Sequence, residues 1–192
     1  VFVGVGEFKE MEWLEKLRDA GIKICPLSHV VRELNPFHDF LSAFELFSLF
    51  SQIQPDIVHL NSSKVGSTGA IVAWLYRKIT GRQVKIIYTV HGFVFNEPLS
   101  GWRKKFYFWS ERISGYFKDE LICVSEHDKI IGLNKKIARH DKFVTINNGL
   151  DLENIKFLPR DDARRFLDSL FQGNDKNKND SFWVGTVANL YP

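Results

Sequence analysis

The feature that most constrains this chain is an alternation along its length. Near-continuous aliphatic and β-branched runs are separated by segments whose apolar residues recur with helical period. Runs at 1–5, 22–27, 56–60, 84–90, 120–124, 142–146 and 182–187 read as strands. Their lack of an in–out pattern is that of parallel strands buried on both faces. Helices are expected at 9–20, 36–54, 67–80, 101–117, 126–138 and 160–171. Asn35 before Pro36 is a helix start signal, and Gly21 and Gly81 stand where helix ends favour a left-handed residue. Strands and helices in this order imply βαβ units, hence an α/β fold of the Rossmann-like, three-layer kind with a mostly parallel sheet.

The chain has 192 residues, 44% hydrophobic and 26% charged, enough to bury a core of its own. The polar stretch 173–181 reads as a linker. Residues 1–172 are therefore expected to form one domain and 182–192 to open a second. Because the first residues already lie in a strand-like run and the last follow another, both ends read as cut from a longer protein. A net charge of +3 does not call for a nucleic-acid partner. Cys25 and Cys123 lie in strand-like runs and read as reduced core cysteines, which points to a cytoplasmic setting. No apolar run approaches the ~18 residues of a membrane span, and no signal peptide is visible.

Open parallel sheets bind ligands beyond the carboxyl ends of their strands. Four polar or glycine-rich segments fall at such ends: Asn61-Ser-Ser-Lys-Val-Gly66, His91-Gly92, Ser125-Glu126 and Asn147-Asn-Gly-Leu-Asp151. The first leads into a helix expected to start near Ser67, where exposed N–H groups and the helix dipole favour an anion. Gly66 and Gly69 would admit a ligand to the backbone and Lys64 would add a full charge. Plain capping by Ser63 or Ser67, with Lys64 in solvent, is the alternative. His91, at a strand tip and followed by Gly92, is a candidate for substrate contact. His59 lies within its strand and reads as structural. His29, His38, His127 and His140 show no metal-ligand spacing.

Residues 101–117 carry an aromatic helical stripe, Trp102, Phe106, Trp109, Ile113, Tyr116 and Phe117, which Tyr107 and Phe108 widen. Arg103, Lys104, Lys105 and Arg112 lie beside it, with Glu111 among them. A basic face flanking Trp and Phe is the pattern of a helix at a membrane interface. A core-packed helix with a solvated basic face would show the same pattern. The candidate membrane contacts are Trp102, Arg103, Lys104, Lys105, Phe106 and Trp109.

Taken in order, Pro55-Asp-Ile-Val-His-Leu60, Ser62-Ser-Lys-Val-Gly66, Tyr88-Thr-Val-His-Gly-Phe93, Ile122-Cys-Val-Ser-Glu126 and Asn147-Asn-Gly-Leu-Asp151 resemble the N-terminal domain of family 4 glycosyltransferases of the GT-B fold, particularly those building bacterial surface polysaccharides. The resemblance is close over 55–151 and looser elsewhere. It implies a retaining transfer of a sugar from a nucleotide-sugar donor to an acceptor, often a lipid-linked glycan at the inner face of the plasma membrane, without a bound metal or other cofactor. It makes His91 the residue contacting the transferred sugar. It places Ser63, Lys64, Gly66, Gly92, Ser125, Asn148, Gly149 and Asp151 along the cleft. Asn61 stands where many members have histidine. The resemblance further implies a first strand and glycine-rich loop before Val1, and a donor-binding Arg/Lys pair and paired-glutamate motif after Pro192. This chain alone is then expected to be inactive. The competing reading is a non-catalytic Rossmann-like module that docks on a membrane or a partner. An oxidoreductase is disfavoured because Gly4-Val-Gly6 does not extend to a dinucleotide fingerprint.

Overall fold

In a computed structural model, the structure describes residues 1–6, 11–31, 35–149 and 156–170. The elements are β1 (Phe2–Val5), α1 (Met11–Asp19), β2 (Lys23–Pro26), α2 (Pro36–Ile53), β3 (Ile57–Leu60), α3 (Ser63–Thr80), β4 (Lys85–Val90), α4 (Gly101–Phe117), β5 (Glu120–Cys123), α5 (Glu126–Asn134), β6 (Phe143–Thr145) and α6 (Arg160–Leu170). Single 3-10 turns follow β4 and precede β6. Two compact units divide the chain, Val1–Asn148 and Gly149–Pro192. The expected linker 173–181 and strand 182–187 lie outside the described residues.

Among the described residues every strand pairing is parallel, as the apolar runs led one to expect. Strands β3-β4-β5-β6 form one sheet in that order, and β1-β2 form a second, two-stranded one. The strand pattern reports position within the larger sheet. Central β4 buries Ile86, Tyr88, Thr89 and Val90, whereas edge strand β3 alternates, with Val58 and Leu60 buried and Ile57 and His59 exposed. His59 donates to or accepts from Thr89 Oγ1 across the ladder at 2.7 Å, a structural role. Helix α2 joins the two-stranded sheet to α3. Leu49 stands against Gly4 of β1, and the rings of Phe47 and Phe50 pack on Tyr76 of α3 at 5.8 and 6.1 Å. Helices α2, α3 and α4 thus lie side by side, with Trp74 of α3 on Phe117 of α4.

Beneath α3 and α4 the apolar core encloses an ion pair. Glu111, 2% exposed, accepts from the Tyr88 hydroxyl at 3.0 Å and from Lys118 Nζ, wholly buried, also at 3.0 Å. The Lys118 ammonium lies 3.8 Å from the Tyr88 ring centroid. Burial pulls Lys118 below the ordinary lysine value against the opposing pull of Glu111, and pushes the Tyr88 phenol up. Cys123, fully buried in β5 as expected of a core cysteine, is pushed up to about 11, mainly by burial.

The buried pair predicts an asymmetry. Lys118→Met leaves the Glu111 charge uncompensated and should cost about 3–5 kcal/mol, whereas Lys118→Met with Glu111→Leu should recover much of that loss. Urea unfolding of both variants checks this; a single-variant loss below about 1 kcal/mol would show that Glu111 finds another partner.

Candidate functional site at the carboxyl edge of the sheet

Parallel register fixes where the candidate residues stand. The pairings Leu60↔Tyr88, Val90↔Cys123 and Cys123↔Thr145 put the ends of β3, β4, β5 and β6 on one edge. Ser63 and Lys64 follow β3, His91 and Gly92 follow β4, Ser125 follows β5, and Asn148 follows β6. Gly149 is exposed and belongs to the second unit, and Asp151 lies outside the described residues.

The first segment differs from its expected form. Helix α3 begins at Ser63, four residues before Ser67, because Ser62 takes the N-cap and accepts from Val65 N. Ser67 is an interior helical residue in contact with Ser114 of α4 at 3.3 Å. Gly66 and Gly69 serve packing between helix and strand. A methyl on Gly66 would collide with the Tyr88 ring, and one on Gly69 would stand 2.7 Å from Leu60. The α3 start is therefore seated on β4, with the Tyr88 hydroxyl 3.5 Å from Ser63 Oγ. Lys64 is not a solvent-borne charge either: its ammonium meets Asp39 of α2 at 2.6 Å.

His91 is exposed at the tip of β4. Gly92 has φ 108, a left-handed region where side chains are strained, and lets the chain turn down to bury Phe93 and Phe95 as a stacked pair 5.0 Å apart. Ser125 is the N-cap of α5. It accepts from Asp128 N at 3.1 Å and donates to Asp128 Oδ2 at 2.6 Å. Asn147 and Asn148 are exposed beyond β6.

A pair of histidines was not anticipated. His29, past the end of β2, and His38, in the first turn of α2, bring their Nδ1 atoms to 3.3 Å. Glu45 accepts from the backbone N–H groups of Ser28 and His29, fixing that turn. His38 adjoins Asp39, so the pair continues to Lys64 at the start of α3. Among the described residues, no group of three or more His, Cys, Asp or Glu is arranged to hold a metal ion. The rule that pointed to His91, a histidine just past a strand tip, also applies to His29. Its pairing with His38 depends on a chain reversal that spacing does not reveal.

The outer face of α4 departs from core packing. Trp102 is 65% exposed, Trp109 53% and Tyr116 80%, with Phe106 and Ile113 similarly open. Tyr107, Phe108 and Phe117 pack partly into the core, so the exposed stripe is narrower than the sequence implied. Arg103, Lys105 and Arg112 are exposed and Lys104 is half-buried, while Glu111 faces inward.

Since Gly66 sits on Tyr88, Gly66→Ala should destabilise by about 1–3 kcal/mol through overpacking, despite alanine's better helix propensity. Gly101→Ala meets no heavy atom within 4 Å and should show no such loss. Thermal unfolding of the two variants tests the difference, and equal melting temperatures would refute this reading of Gly66.

Comparison with known proteins agrees with this architecture. The sequence profile of Glycosyltransferase Family 4 matches residues 10–154. An Escherichia coli UDP-Gal:alpha-D-GlcNAc-diphosphoundecaprenol alpha-1,3-galactosyltransferase is 29% identical over 187 residues, 96% of this chain and 45% of that protein. An uncharacterized 41.2 kDa protein in the cps region of Klebsiella pneumoniae is 29% identical over 105 residues, 55% of this chain and 29% of its own length. Among solved structures, Anabaena Alr3699/HepE in complex with UDP-glucose superposes with a TM-score of 0.58 at 17% identity, covering 88% of this chain and 42% of that one. A glycosyltransferase from Rickettsia africae gives 0.52 at 19% identity, with 90% and 42% covered. These structures share the fold, that of the GT-B glycosyltransferases. The chain spans about half the length of the E. coli relative. With its parallel α/β fold and a profile match over most of its length, this chain belongs to Glycosyltransferase Family 4.

Proposed function

We propose that the protein containing this chain transfers a sugar, with retention of configuration, from a nucleotide-sugar donor to a lipid-linked glycan acceptor in surface-polysaccharide synthesis. The observation that carries this reading is the gathering of Ser63, Lys64, His91, Ser125 and Asn148 on one edge of a parallel sheet, where α/β folds take ligands. The names of its relatives support the substrate classes. The E. coli protein uses a UDP-sugar and a diphosphoundecaprenol-linked acceptor, and the Anabaena structure holds UDP-glucose. In this reading His91, exposed at the tip of β4, contacts the transferred sugar, and the α3 start and Asn148 line the cleft. Transfer proceeds without a metal. Donor phosphates are neutralised by cationic side chains outside this chain, since Lys64 is already engaged by Asp39.

The exposed aromatic face of α4 lies against the cytoplasmic leaflet of the plasma membrane. Large aromatics rarely stand open in a row on a soluble surface, and bordering arginines and lysines favour anionic lipid. Among the described residues no helix is long and apolar enough to cross a membrane.

In the full-length enzyme His91→Ala should lower kcat/KM by roughly 100-fold, the scale of losing one polar contact in the transition state. A change within about twofold would remove His91 from the reaction. The chain Val1–Pro192 alone should release no nucleotide from a UDP-sugar in the presence of acceptor, and measurable transfer would refute the division of labour. Trp102→Ser with Trp109→Ser should reduce flotation of the full-length protein with phosphatidylglycerol vesicles, and unchanged flotation would refute the membrane role of α4.

A further inference from the structure

At the edge of the sheet opposite the candidate site lies a second cleft. It has a volume of about 600 Å³, and its lining includes Arg77, Arg112, Lys136, Arg139 and Lys142 together with the rings of Trp74 and Tyr116. Its walls come from the segments that lead into β4, β5 and β6, which places it at their amino ends. Among the described residues, no carboxylate lines it.

The cations differ in how they are held. Arg77 is fixed by Asp119, with Nη1 3.2 and 3.0 Å from the two carboxylate oxygens, and also donates to Val84 O. Arg139 makes a two-pronged contact with Asp141 at 3.1 and 2.7 Å. Lys142 donates to the carbonyls of Gly115, Tyr116 and Lys118, so it covers the negative end of α4 that would otherwise repel an anion. Arg112 and Lys136 have no ion-pair partner among the described residues. Lys136 is held on the cleft by a left-handed backbone, φ 52. Asp119 and Asp141 are thus each engaged by an arginine, and the cleft keeps an excess of positive charge.

We propose that this cleft binds the phosphate headgroup of an anionic membrane lipid. The inference rests on the membrane role of α4 proposed above and adds a specific site to it. Continuity selects a lipid over a soluble anion. Arg112 and Tyr116, which line the cleft, belong to the same helix face as the exposed aromatic stripe. The Arg112 guanidinium lies over the Trp109 ring at 5.6 Å. Apolar contact and phosphate contact therefore meet on one surface, as a lipid with its acyl chains in the bilayer and its headgroup above would require.

The test uses the full-length protein with vesicles of phosphatidylglycerol in phosphatidylcholine, vesicles of phosphatidylcholine alone, and inorganic phosphate as the soluble probe. Arg112→Gln with Lys136→Gln removes the two unpaired charges and leaves the aromatic stripe and the carboxyl-edge residues intact. Wild type should bind the anionic vesicles, phosphatidylcholine should bind weakly, and the double variant should lose about 25-fold, roughly fivefold per charge. Inorganic phosphate at millimolar concentration should not displace the protein from anionic vesicles. Wild-type binding with an unchanged double variant overturns the cleft while leaving the α4 contact standing. Binding of neither vesicle, with phosphate binding that the double variant abolishes, overturns the lipid assignment in favour of a soluble anion. Sugar transfer from a water-soluble acceptor analogue should be unaltered in the double variant, so failure of this proposal and failure of the transferase reading are separate results.

Discussion

Glu111 is held where almost no water reaches it, between an ammonium on one oxygen and a phenol on the other. Desolvating either charge alone is costly, so each partner is confined to the geometry that satisfies the other. The consequence is positional. Glu111 and Lys118 bracket the end of α4 and Tyr88 is the middle of β4, so the pair locks helix onto strand. Tyr88 in turn carries Gly66 on its ring and approaches Ser63 with its hydroxyl. The start of α3, and with it the first segment of the candidate cleft, is set by a charge buried on a different helix.

Much of this was legible in the sequence and some was not, for physical reasons. Strands and helices were readable because burial on both faces leaves an unbroken apolar run, and β4 is the clearest case. The α4 limits were readable from its aromatic period. The start of α3 was misplaced because Gly66 looks like a loop residue, and both Gly66 and Gly69 read as openings for a ligand. They are helical, and their missing side chains make room for Tyr88 and Leu60. Glu111 read as part of a solvated charged face, since within α4 its neighbours are Arg112 and the basic first turns. Its true partner, Lys118, lies just beyond the helix end, and only folding brings the two together. The proximity of His29 to His38 and of Lys64 to Asp39 likewise arises from return of the chain through α2.

The two edges of the sheet differ in charge. At the carboxyl edge the cation that the sequence offers, Lys64, is met by Asp39, and the serines are committed to caps or to Tyr88. Among the described residues that edge offers hydroxyl, imidazole and amide groups, suited to holding hydroxyl-rich groups by hydrogen bonds. At the amino edge the carboxylates are fewer than the cations they serve, and two cations have no partner among the described residues. In the two proposals a hydroxyl-rich ligand and a lipid phosphate are thus assigned to opposite ends of the same strands.

Helix α4 joins those ends. It follows β4 by way of the turn at Val94–Asn96, so it starts near the carboxyl edge, and it finishes at the cleft on the amino edge. A 17-residue helix is roughly 25 Å long, comparable with the thickness of a small domain. If its exposed face lies flat on a bilayer, the polar edge and the cationic cleft both stand close to the headgroups, one at each end of the helix. An acceptor anchored by its lipid then reaches the carboxyl edge by lateral diffusion in the membrane plane. The enzyme need not extract a lipid tail from the bilayer, a step that would cost about 0.8 kcal/mol for every methylene exposed. On this view the aromatic stripe holds the reacting edge at the height where lipid-linked substrates present their sugars.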